Sequence, residues 1–220
     1  WSTGESTQSI TVNASGTFSV TVTDINGCEG DSDPVVITVY SNPIPTITPD
    51  GPVEFCDQDS VLLTASNASS YIWNTGDTTQ SITVLVSGTY NVTVADTNGC
   101  VGTSADITIT VYNLPTPTIT PSGPTTFCEG DNVVLTASGA TAYLWSTGDT
   151  TQAITVMTSG TYVVTVTDAN GCSADAAGVD VTVNSLPTPT ITLLGPIQFC
   201  SGGDVDLMVS ASDSYLWNTG

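Results

Sequence analysis

Two kinds of side chain in this sequence are suited to chemistry: six cysteines, and the carboxylates placed beside them. The cysteines form two series, Cys28, Cys100, Cys172 and Cys56, Cys128, Cys200, each stepping by 72 residues (100 − 28 = 72; 128 − 56 = 72). There is no Cys-x-x-Cys and no His, so neither a redox motif nor a zinc site is read from them. Disulfides remain. A small secreted module has a marginal core and is commonly tied this way. Cys56 with Cys100 and Cys128 with Cys172, each 44 residues apart, would close a loop within one repeat. Each would stabilise it by about 4 kcal/mol in the chain-entropy account. Cys28 and Cys200 would then pair outside residues 1–220. The alternative, Cys28 with Cys56, would cross-link neighbouring repeats. Pairing within the repeat is expected because it needs no particular angle between modules, and regular cysteines imply an oxidising, extracytoplasmic compartment.

The carboxylates recur as Asp-x-Asn-Gly-Cys at Asp24–Cys28, Asp96–Cys100 and Asp168–Cys172. Asp and Asn oxygens suit calcium, but a calcium loop alternates its ligands and ends in a bidentate Glu, and none follows here. A hairpin turn with its Gly at positive φ is the preferred reading, and no metal or other cofactor is assigned. A second acidic cluster follows the other cysteines, at Asp57/Asp59, Glu129/Asp131 and Asp204/Asp206. Calcium shared between the two clusters across a disulfide is the alternative.

The rest of the composition excludes more than it offers. The chain has 21 Asp plus Glu and no Lys, Arg or His, giving a formal charge of −21. Without Lys there is no Schiff base, and without His no imidazole base. With no cation to neutralise phosphate, nucleic acid and anionic membranes are poor partners. There is no Ser-His-Asp set, paired-carboxylate motif or Gly-rich phosphate loop, so an enzyme is not expected. Apolar runs such as Val133 to Leu135 fall far short of the roughly 20 residues of a spanning helix. No signal peptide opens the chain, so any targeting segment is expected outside residues 1–220, and the repeats described next lead us to expect a piece of a longer protein.

The elements that position these residues follow from the repeat. Trp1, Trp73, Trp145 and Trp217 keep the 72-residue step. Of the 28 positions from Trp1 to Cys28, 18 are identical in Trp73 to Cys100 and Trp145 to Cys172. The Pro-rich stretches Asn42–Pro45, Leu114–Pro117 and Leu186–Pro189 read as short, stiff linkers. They divide the chain into the back part of a module (1–42), two whole modules (43–114 and 115–186), and the front part of another (187–220). Head-to-tail completion between molecules is the alternative for the two parts; a longer continuous chain is simpler.

Within a module the apolar period is two, which indicates half-buried strands. Tyr162, Val164 and Val166 share one face, as do Val133, Leu135 and Ala137, and Val179, Val181 and Val183. Phe18, Val20, Val22 and Tyr90, Val92, Val94 repeat the first set, and Ile119, Ile154 and Val156 add inward positions. No helical stripe occurs. Short strands punctuated by Gly, Asn and Pro predict an all-β chain of β-sandwiches. Tyr71/Trp73 and Tyr143/Trp145 are the recurrent aromatics a sugar site would need, but a core place is expected for them. The Thr-rich faces, which an ice- or sugar-binding array would use, are read as solvent-facing strand positions.

The run from Tyr143 through Trp145-Ser146-Thr147-Gly148-Asp149 to Gln152, followed by Gly160-Thr161-Tyr162 and Asp168-Ala169-Asn170-Gly171-Cys172, resembles the Ig-like and PKD-like modules of giant Bacteroidota surface proteins. Such arrays occur in gliding-motility adhesins exported by the type IX secretion system. The resemblance implies tandem Ig-like modules of 72 residues in an extended rod, with the disulfide tying one end of each sandwich. It also implies O-glycans at Asp-Ser/Thr-hydrophobic/Thr triplets, which here places them on Ser60, Thr78 and Thr150. The function this predicts is the stalk of an extracellular, cell-surface adhesin, partnered by its own neighbouring modules. A module binding polysaccharide or another surface, and a spacer of a secreted hydrolase, are the alternatives.

Overall fold

The computed structural model describes residues 1–218; Thr219 and Gly220, the last two of the expected module part at 187–220, lie outside them. All regular structure among the described residues is β. Among them no helix is long and apolar enough to cross a membrane. The chain separates into two compact units, 1–114 and 115–220.

In the first unit, Ile47–Pro49, Val61–Ala65 and Ser81–Val84 form an antiparallel sheet with Val61–Ala65 in the middle. A second layer is built by two long, interrupted strands. Gly88–Tyr90 continues as Val92–Ala95 after Asn91, and Val101–Thr103 continues as Ile107–Tyr112. The two pair with each other antiparallel. Ser70–Trp73 flanks this hairpin on one side, antiparallel to Val92–Ala95. Glu54–Cys56 flanks the other, parallel to Thr110–Tyr112, with Cys56 opposite Tyr112. The second unit repeats this strand for strand, 72 residues on, from Ile119–Pro121 to Val179–Asn184.

The sheets pack through the residues that alternate inward. Val61, Leu63, Ala65, Ile82 and Val84 from one layer meet Trp73, Tyr90, Val92, Val94 and Ile109 from the other. Val133, Leu135, Trp145, Val164, Val166 and Val181 do the same in the second unit. The alternation expected of Val133/Leu135/Ala137 and Tyr162/Val164/Val166 is the alternation observed. Val22 departs from it and is exposed. Residues 16–37 form only two-stranded ribbons, Gly16–Phe18 with Val35–Ile37 and Thr21–Thr23 with Glu29–Asp31, leaving that face uncovered. Residues 191–209 likewise give one ribbon, Ile191–Leu193 with Leu207–Val209.

Each sandwich therefore has two poles. The chain comes in at the N-terminal pole, where Ser66 N–H bonds Thr46 and Ser69 N–H bonds Ala95, beside the turn ending in Cys100. It leaves at the C-terminal pole, where Tyr112 lies opposite Cys56.

Leu135 is fully buried and Leu144 is half exposed in the same sandwich. Leu135→Ala should cost about 2–5 kcal/mol, and Leu144→Ala within about 0.5 kcal/mol of nothing. Urea denaturation read by hydrogen exchange across residues 133–167 checks the difference.

Candidate functional site

The repeated turn is built by its own carboxylate. Asp96 Oδ1 accepts the backbone N–H of Asn98 (2.8 Å) and of Cys100 (2.9 Å), while Asp96 N–H donates to the Cys100 carbonyl (2.9 Å). Gly99 closes the turn at φ +82°, where a side chain would be strained. Asp24 and Asp168 make the same bonds around Gly27 and Gly171. Burial works against ionisation of Asp96, but the N–H groups of Cys100, Asn98 and Gly99 outweigh it and hold the carboxyl below its ordinary range. For Asp24 the Cys28 N–H is the largest influence, and its direction is also downward.

These carboxylates are engaged as turn acceptors. Among the described residues no group of three or more His, Cys, Asp or Glu is placed to hold a metal ion. Within each sandwich the second acidic cluster lies apart from the first. Asp57 N–H bonds the Tyr112 carbonyl at the C-terminal pole, while Asp96 sits at the N-terminal pole.

The same topology corrects the expected disulfides. Cys100 and Cys128 are free thiols, as are Cys28 and Cys200, whereas Cys56 and Cys172 are disulfide-bonded. Neither Cys56–Cys100 nor Cys128–Cys172 is formed. The reason is length: the arm from Cys100 to Tyr112 runs the whole sandwich, roughly 40 Å at about 3.3 Å per residue. A disulfide needs Cα atoms within about 7 Å. A disulfide tying one pole of a sandwich, with both its cysteines at that pole, is excluded for the same reason.

The aromatics are core. Trp73 and Trp145 are each 2% exposed, and their indole N–H groups donate to the carbonyls of Thr79 (2.9 Å) and Thr151 (2.8 Å). The Tyr71 and Tyr143 hydroxyls accept the N–H of Ala68 and Ala140 (2.9 Å each). None presents the open face that sugar stacking requires. The outward threonines are tied across strands: Thr161 and Thr165 donate to Asp180 and Asp175 (2.6 Å each), and Thr167 bonds Ser173 (2.8 Å). Ser60, Thr78 and Thr150 all lie at exposed loop positions.

One device was not anticipated. Ser87 Oγ accepts the Val111 N–H (2.8 Å) and bonds its carbonyl, fastening the turn before Gly88 to the last strand. Ser15 and Ser159 do the same with Val39 and Val183. The signal was available, since Ser-Gly-Thr before an aromatic recurs in all three repeats.

Three strands face four in each whole sandwich, with the first edge strand switching from one sheet to the other. The sandwiches are immunoglobulin-like. No family model and no curated protein matches this sequence. Solved structures do. A Ca2+-stabilised adhesin that helps an Antarctic bacterium bind ice is similar over 80% of this chain and 58% of that chain, at 19% identity and TM-score 0.41. A 1.5-MDa bacterial ice-binding adhesin is similar over 76% and 74%, at 19% and 0.34. Murine CEACAM1b is similar over 64% and 100%, at 15% and 0.32.

The turns generate two expectations. Asp96 should titrate below an unstructured Asp, near 3.9, in a 13C carboxyl NMR titration. Its contribution to stability is complete above that value and is lost as pH falls through the lower, folded pKa. Gln58 takes φ +81° where the other repeats place Gly130 (φ +100°) and Gly202 (φ +91°). Gln58→Gly should therefore stabilise the first whole sandwich by about 1 kcal/mol, read from its urea midpoint.

Proposed function

We propose that residues 1–220 are a stalk segment of a long extracellular adhesin, with modules at 43–114 and 115–186 flanked by parts of two more. The observation that carries this reading is the polarity of each sandwich. The chain comes in at one pole and leaves at the other, so consecutive modules are suited to run end to end. The chemistry-bearing groups are engaged in building the modules, which favours a non-enzymatic, structural role. Disulfide-bonded Cys56 and Cys172 support an oxidising, extracytoplasmic location. The finer assignment, to gliding-motility adhesins exported by the type IX system and carrying O-glycans on Ser60, Thr78 and Thr150, rests on the sequence resemblance. The uniform negative charge suits such a stalk, because it discourages exposed strand edges from associating sideways.

Small-angle scattering tests the end-to-end arrangement. Modules of about 40 Å each, placed in line, make a rod of about 120 Å with a radius of gyration near 35 Å. A compact 220-residue globule would give about 17 Å. A value near the lower figure overturns the stalk.

A further inference from the structure

The Asn42–Pro45 and Leu114–Pro117 linkers read alike in sequence, but the pole that each one enters differs by one methyl group. Gly102 is the middle residue of Val101–Thr103 and lies opposite Val94, whose side chain is buried in the core. A side chain at Gly102 would share that face and point inward at the N-terminal pole. The backbone of Pro43, in the linker leading into the same sandwich, occupies that place. A Cβ on Gly102 would stand 1.9 Å from the Pro43 carbonyl oxygen and 3.0 Å from the carbonyl carbon. The obstruction is main chain, which cannot swing aside as a flexible side chain can. Two residues on, Pro45 is buried. Thr46 N–H then bonds Ser66 Oγ (3.2 Å), and Ser66 N–H bonds the Thr46 carbonyl (2.9 Å). The following sandwich repeats the Thr–Ser pair, with Thr118 N–H to Ser138 Oγ (3.1 Å), but it has Ala174 in place of Gly102. Ala174 lies opposite buried Val166, so its methyl group fills the space that a Pro115 carbonyl would need. Pro117, the counterpart of buried Pro45, is only half-buried.

We propose that the residue at this position decides whether a linker is seated in its own module, with glycine as the seated form and alanine as the unseated one. In the first whole sandwich the missing Cβ opens a notch at the pole. Pro43 sets its carbonyl into that notch, and Pro45 is buried behind it. Residues 43–46 are then held at three points: the notch, the buried Pro45 ring and the Thr46–Ser66 pair. The linker is thereby part of the fold, and it fixes the direction from which the chain enters the sandwich. In the second sandwich the Thr118–Ser138 pair is kept without the notch. Proline there restricts the local backbone but does not tie it to the pole. A stiff linker and an attached linker are different things, and only attachment needs Gly102. Glycine within a strand is otherwise unfavourable relative to alanine, and it marks a place where another backbone comes close. Gly30 holds the same position in the back part of the preceding module. Among near-identical modules, a single Gly-to-Ala exchange thus sets which of them have a fixed entry.

Backbone 15N relaxation of the whole chain tests this at Ile44 and Thr116. They hold the same place in the two linkers and, unlike the prolines beside them, have an N–H. The expected order parameter is about 0.85 at Ile44, as in rigid backbone, and below about 0.6 at Thr116. Gly102→Ala should bring Ile44 down to the Thr116 value, while the amides of Leu63 and Val92 in the core keep theirs. Ala174→Gly should do the reverse and raise Thr116 to the Ile44 value. It adds no atoms, so it remains decisive if Gly102→Ala unfolds its sandwich. Equal order parameters at Ile44 and Thr116 in the unaltered chain overturn the proposal. So does a folded Gly102→Ala chain with Ile44 still ordered, or an Ala174→Gly chain with Thr116 still mobile. The inference rests on the reading of tandem modules, and its failure is distinguishable from the failure of that reading. Scattering reports whether the modules lie in line, whereas relaxation reports whether a linker moves with its own sandwich. An elongated particle with a mobile Ile44 removes the seat and leaves the stalk; a compact particle with an ordered Ile44 does the opposite.

Discussion

This protein folds without a single cationic side chain, and its polar architecture follows from that constraint. A carboxylate in an ordinary domain can be answered by Lys or Arg. Here it is answered by backbone N–H groups, by hydroxyls or, as at Asp106 with Asn91, by a side-chain amide. Asp24, Asp96 and Asp168 take their bonds from the turns they organise, and Asp50 accepts the Leu62 N–H (2.8 Å). Thr21, Thr75, Thr147, Thr161 and Thr165 each donate to an Asp, and Tyr112 donates to Glu54. The abundance of threonine beside aspartate thus reflects more than strand propensity: the hydroxyls stand in for absent cations. Such bonds also survive salt better than exposed ion pairs, which screening weakens.

Because those bonds are local, each sandwich closes its own polar and apolar interactions. The buried clusters around Leu63 and Leu135 are separate, and each draws on residues from one repeat. Stability in such an array is set chiefly by the single module and the junctions it makes.

The strand faces were legible in the sequence because a period of two leaves Leu135 or Val164 only one place to go. Trp73 and Trp145 were legible for the same reason, as inward members of a Tyr-x-Trp pair. The Asn-Gly turns could also be read, since Gly99 and Gly171 occupy positions that favour glycine. The cysteine pairing could not. A separation of 44 residues gives a loop length and says nothing about which pole each thiol occupies. That is decided by the parallel pairing of Glu54–Cys56 with Thr110–Tyr112, a contact across more than fifty residues that leaves no local signature. The same distant pairing separates the two acidic clusters, which lie side by side with the cysteines in sequence but at opposite poles in space.

That parallel pair carries a further consequence. Glu54–Cys56 belongs to the opening of the sandwich and Thr110–Tyr112 to its close, and they run in the same direction. Force applied at the two ends of the module would draw the first toward the N-terminal pole and the second toward the C-terminal pole. The bonds between them, Thr110 N–H to Val53 (2.9 Å) and Asp57 N–H to Tyr112 (2.7 Å) among them, would be loaded in shear and would have to break together. A hairpin pulled apart from its open end gives way one bond at a time. The short edge strand that places Cys56 at its pole is, by its direction, also a clasp.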